Sequence, residues 1–110
     1  MNKKIEFNYD GVDYTLEYNR EAIMFMESKG LDISKVTSQP LTMISILWQG
    51  AFFKNHRKEK NEIIEKIYDG IGNKSELNAA LSEMFLEAYS VLIGDSDETD
   101  DTKNIKWKMS

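Results

Sequence analysis

The chain has no cysteine, one histidine and one proline in 110 residues. Without thiols there is no disulfide framework, no cysteine nucleophile and no zinc site built on thiolate. A single histidine, His56, leaves no multi-histidine metal set and little basis for triad chemistry. Excess positive charge is missing too: 14 Lys and Arg face 19 Asp and Glu, a formal charge of −5, whereas a nucleic-acid binder carries a basic stripe or patch. Long apolar runs are also lacking. The most apolar stretch, Pro40 to Phe53, is broken by Thr42, Ser45, Gln49 and Gly50, and it falls short of the ~20 apolar residues of a spanning helix. The basic start Met1-Asn2-Lys3-Lys4 leads into an alternating pattern instead of an apolar block, so it does not read as a signal peptide. No glycine-rich phosphate loop, no Gly-x-Ser-x-Gly and no converging pair of carboxylates is legible. No catalytic residue, metal ligand or cofactor is therefore assigned. The expectation is a soluble, intracellular protein that is not an enzyme, with neither nucleic acid nor membrane as partner.

What is present reads as an α+β domain. Ile5, Phe7 and Tyr9 alternate with Glu6, Asn8 and Asp10, and Val12, Tyr14, Leu16 and Tyr18 alternate with Asp13, Thr15 and Glu17. Period-two patterning puts each apolar set on one face. Asp10-Gly11 between them suits a two-residue type I′ turn, which needs two positive φ angles. A β-hairpin over 3–18 is expected, packed on helices because a lone hairpin is marginal in water. Asn19 is a good N-cap for a helix carrying Ala22, Ile23 and Met26, which Gly30 stops. Residues 31–39 read as a loop with a turn or short helix around Asp32–Val36. A second helix, Leu41 to Lys54, opens with Pro40 in its first turn. It is apolar nearly all round, so it is expected to be central or to lie in a subunit contact. A third helix spans about Lys58 to Asp69, with Ile63, Ile64, Ile67 and Tyr68 on one stripe. Asn73 and Glu76 have capping-box spacing before a last helix whose face is Leu77, Ala80, Leu81, Met84, Phe85, Ala88, Tyr89 and Leu92.

After Ile93 the composition changes. Asp95, Asp97, Glu98, Asp100 and Asp101 fall together without an apolar side chain, too polar to offset the entropy of ordering. The expected division is a single domain over 1–93 and an acidic tail over 94–110, with 95–104 disordered. Counted as a calcium loop from Asp95, the sixth residue is Asp100 and the twelfth is Lys106, where an EF-hand needs Gly and Glu. The one basic cluster, Lys54 to Lys60, lies at a helix junction, where cations suit the preceding C-terminus. His56 within it reads as an exposed polar residue.

Six methionines and twelve aromatics admit two readings. They fill a small core, or some form an exposed apolar patch used for association. Met24, Phe25 and Met26 are consecutive and cannot all face inward, because successive helical residues turn by about 100°. Trp48, Phe52 and Phe53 likewise exceed one inward stripe. The partner-binding candidates are therefore Met24, Phe25, Trp48, Phe52 and Phe53, and the surplus in Leu41–Phe53 also suggests a homo-oligomer.

In order, Ile5-Glu6-Phe7-Asn8-Tyr9-Asp10-Gly11 running on to Asn19-Arg20, Met26-Glu27 with Gly30, Gln39-Pro40-Leu41 leading to Leu47-Trp48-Gln49-Gly50-Ala51-Phe52, Glu62 to Tyr68, and the acidic tail with Trp107 resemble the tail assembly chaperones of long-tailed bacteriophages and prophages of Gram-positive bacteria. The likeness covers nearly the whole chain and lies in order and hydrophobicity instead of a catalytic motif. It implies a protein that binds the aggregation-prone tape measure protein, keeps it soluble and helps recruit tail tube subunits. It further implies action in the host bacterial cytoplasm and absence from the mature virion. In many such phages a ribosomal frameshift yields a longer product. Two alternatives stand beside it: a small oligomerising adaptor without chaperone activity, and an acidic DNA mimic, which would space carboxylates over the folded body instead of a tail.

Overall fold

The computed structural model describes residues 3–94 and Met109. The chain forms β1 (Ile5–Tyr9), β2 (Val12–Leu16), α1 (Arg20–Ser28), a 3-10 turn (Ile33–Lys35), α2 (Pro40–Ala51), α3 (Asn61–Gly70) and α4 (Lys74–Ile93). The fold is α+β, a two-stranded antiparallel hairpin on four helices. The expected tail over 94–110, with its disordered stretch at 95–104, lies outside the described residues apart from Gly94 and Met109.

Asp10 and Gly11 have φ of 53° and 81°, the two positive values that a type I′ turn requires. The turn sets the register Ile5↔Leu16, Phe7↔Tyr14 and Tyr9↔Val12. Tyr14, Leu16 and Tyr18 are buried, and Ile5, Phe7 and Tyr9 of β1 partly so. Val12 departs from the expected face: it is 48% exposed, because it sits beside the turn. Asn19 caps α1 through Oδ1, which accepts the Ala22 N–H at 2.8 Å. The helix ends in a Schellman motif, with Leu31 N–H donating to the Met26 carbonyl and Gly30 N–H to that of Glu27, both at 3.0 Å; Gly30 adopts the required φ of +100°.

α2 is the central element, lying against α1, α3, α4 and the 3-10 turn. Its all-round apolar character is thereby explained without a subunit contact, and of its large apolar side chains only Leu41, at the N-terminal end, is exposed, at 87%. The core joins Leu16 from the hairpin, Met26 from α1, Leu47 and Trp48 from α2, Ile67 from α3 and Leu81 from α4. Lys3 ties the start of the hairpin to α4: its N–H donates to Glu87 at 2.9 Å and its ammonium pairs with Glu83.

Three local expectations fail. α2 ends at Ala51 and α3 starts at Asn61, where helices to Lys54 and from Lys58 were expected. The intervening segment leaves the helix because its polar groups bond to the hairpin, as described below. Asn73 is the N-cap of α4 but adopts left-handed φ 59°, ψ 47° and makes no side-chain cap bond, so the capping box does not form. Its carbonyl still accepts the Leu77 N–H at 3.0 Å.

Candidate docking surface

A two-stranded sheet leaves β2 with an unpaired outer edge, which needs hydrogen-bond partners. Residues 51–56 supply them. Glu17 N–H donates to the Ala51 carbonyl at 3.2 Å. Thr15 N–H donates to His56 Nε2 at 3.0 Å, and Asn55 Nδ2 donates to the Thr15 carbonyl at 3.0 Å. His56 is thus a half-buried acceptor instead of the exposed polar residue expected, with its ring against Tyr14 at 4.9 Å. Side-chain bonds reinforce the seam. Glu17 accepts from Asn55 at 2.9 Å and from Lys54 at 3.1 Å, and the Tyr14 hydroxyl donates to Glu59 at 2.5 Å. That bond, helped by burial, pushes the Tyr14 pKa up to about 12.

Glu17 gives the seam a pH dependence. Its pKa is lowered from 4.5, first by the bond from Asn55, which outweighs the opposing effect of burial, and then by the bond and charge of Lys54. A carboxylate with a depressed folded pKa adds stability that is fully present above the unfolded value and fades as pH falls through the folded one. The seam is therefore expected to weaken below pH 4.5. Glu17→Gln should cost about 1 kcal/mol at neutral pH, between an exposed ion pair and a buried charge-assisted bond. It should also flatten the acid limb of the stability curve, read by denaturant melts from neutral to acid pH.

The anchored segment positions the first solvent-facing aromatic after α2. Phe53, held by its N–H to the Gly50 carbonyl at 3.1 Å, stacks on Phe25 of α1 with centroids 4.9 Å apart and planes at 23°. Both rings are half-buried. The Arg57 guanidinium stands over Phe53 at 4.2 Å and the Lys29 ammonium over Phe25 at 5.6 Å. A groove of ≈ 170 Å³ runs beside the rings and reaches Gln49, His56 and Asn61.

Of the five partner-binding candidates, the structure brings Phe25 and Phe53 together at this surface. Met24 is exposed, 54%, on a different groove of ≈ 310 Å³ that it shares with Tyr89, Leu92 and Ile93 of α4. The consecutive trio divides as its helical turn demands: Met26 inward, Phe25 at the margin, Met24 out. Trp48 and Phe52 are corrected. Each is 1% exposed, because a central helix covered on several sides has more than one inward stripe. Trp48 Nε1–H donates to the Ile64 carbonyl at 2.8 Å, and its ring meets Phe52 edge-on at 5.0 Å and Tyr68 at 5.4 Å. Sequence reasoning missed Lys29 and Arg57, which only the fold brings to the rings. Gly50, a glycine inside an apolar helix, was the available sign that another element comes close there.

Among the described residues no group of three His, Cys, Asp or Glu could hold a metal ion, and no helix is long and apolar enough to cross a membrane. A family model described as a domain of unknown function (DUF5055) matches residues 1–110. No curated protein and no solved structure matches the chain.

Proposed function

We propose that this chain, which belongs to that family of unknown function, is a tail assembly chaperone of a long-tailed bacteriophage or prophage, acting in the host bacterial cytoplasm and absent from the mature virion. It binds the tape measure protein, keeps it soluble and helps recruit tail tube subunits. The observation that carries the reading is the solvent-facing Phe25–Phe53 stack, joined to the whole-chain resemblance in sequence order. An apolar surface on an otherwise acidic, soluble body is what a holding protein needs to receive the apolar face of a partner helix. Binding of this kind draws on burial of apolar side chains and uses no nucleotide.

Co-expression with a tape measure protein from the same phage or prophage tests the reading. The wild-type chain is expected to move that protein into the soluble fraction. Phe25→Ala and Phe53→Ala should each abolish the effect, at about 2–4 kcal/mol of binding for an anchor aromatic. Their own stability should fall by only about 1–2 kcal/mol, because a half-buried ring carries a fraction of the ~3–5 kcal/mol of a core one. Melting temperatures of the same variants separate the two effects. A tape measure protein that stays insoluble beside the wild-type chain would leave the adaptor reading in its place.

A further inference from the structure

We infer that the Phe25–Phe53 surface selects an acidic amphipathic segment of its partner, seating apolar side chains in the groove beside the rings and carboxylates on Arg57 and Lys29. The inference deepens the docking reading above and rests on it. It comes from the charge around the rings. On a chain of net charge −5, each ring has a cation over it, Arg57 on Phe53 and Lys29 on Phe25. Neither cation forms an ion pair among the described residues, where the two pairs are Lys3–Glu83 and Lys54–Glu17. The one carboxylate lining the groove, Glu59, is already engaged, with Oε1 accepting from Tyr14 and Oε2 from the Lys60 N–H.

A guanidinium lying over an aromatic ring keeps the N–H groups of its rim free, in the fork that matches a carboxylate. Lys58 and Lys60, both exposed on the same loop, add to the local positive potential. An acidic segment is repelled by most of this molecule and attracted here, so the charge pattern both steers it and fixes where it lands. A basic segment meets the reverse: attraction elsewhere and repulsion at the rings.

The test uses the full-length protein and a labelled synthetic peptide of about 18 residues, long enough to be helical. It carries Leu and Phe at i, i+3, i+4 and i+7, with Glu flanking that face; a second peptide has Lys in place of every Glu. Fluorescence anisotropy should show the Glu peptide binding about tenfold tighter than the Lys peptide at low salt, with the advantage shrinking as salt screens it. Arg57→Glu and Lys29→Glu, both at exposed residues, should lower the melting temperature only slightly, through the lost cation near a helix C-terminus, and weaken the Glu peptide by about tenfold. Equal binding of the two peptides, or indifference to both charge reversals, would overturn the inference. So would a peptide of the chain's own residues 95–110 binding as tightly as the Glu peptide, which would make the occupant the chain itself, or tighter binding of an oligothymidylate. Failure here with the tape measure protein still solubilised removes the charge selection and leaves the chaperone reading standing. The Glu preference with an insoluble tape measure protein does the opposite.

Discussion

Trp48→Ala is expected to lower the unfolding free energy by about 3–5 kcal/mol, the cost of emptying a buried aromatic site. Against a total of about 5–15 kcal/mol for a domain, that brings the protein close to unfolding at physiological temperature. The indole contributes at four contacts at once. It packs on Phe7 from the hairpin, Phe52 at the end of α2 and Tyr68 of α3, and its N–H ties α2 to the Ile64 carbonyl of α3. Trp48→Phe retains a ring and loses the donor and part of the volume, so a smaller loss of about 1–2 kcal/mol is expected. Urea melts at constant slope check both values. Any loss of partner solubility in Trp48→Ala should follow its loss of fold, and restoring stability by cooling should restore it; an unchanged melt would return Trp48 to the list of surface anchors.

Gly50→Val should be comparably damaging, above about 3 kcal/mol, at the upper end of what overpacking costs. A Cβ built on Gly50 falls 2.2 Å from Met26 Sδ and 2.3 Å from its Cγ. Met26 is fully buried, so its Sδ and Cγ have no open space to move into and the packing of α1 on α2 has to give. Gly50→Ala tests the balance of two effects. Alanine is favoured over glycine in a helix interior by about 1 kcal/mol, and overpacking opposes it with about 1–3 kcal/mol or more. We expect the clash to win. Combined with Met26→Ala, the glycine substitution should lose its cost, a coupling of about 1–3 kcal/mol in a double-mutant cycle. Strict additivity would place the strain elsewhere.

These two residues also mark where the sequence is legible and where it is not. The hairpin turn, the Asn19 cap and the Gly30 stop rest on neighbouring residues alone, and each could be read from a few letters. The burial of Trp48 and Phe52 could not. An apolar helix has no intrinsic inward stripe when partners cover several sides, and the number of partners is a property of the whole fold. The ends of α2 and α3 were hidden for a related reason. Lys58-Glu59-Lys60 is a competent helix former on local propensity, but the bonds that compete with helix there come from Thr15, Glu17 and Tyr14, about forty positions away. The pairing of Phe25 with Phe53, and with it the candidate surface, depends on how closely α1 approaches α2, which Gly50 permits and local pattern does not reveal.

The seam between β2 and residues 51–56 has a further consequence. Phe53 and Arg57 lie on a stretch whose shape depends on backbone groups of Thr15 and Glu17, so the surface exists only in molecules whose two halves have already found each other. Anything that binds the rings binds that assembled state and not its opened forms, and by mass action it adds RT ln(1 + [L]/Kd) to the free energy of opening the sheet edge. Occupancy and the closure of the hairpin edge are therefore one equilibrium. A chain still emerging or partly unfolded has no such surface to offer, and an occupied one is the hardest to pull apart.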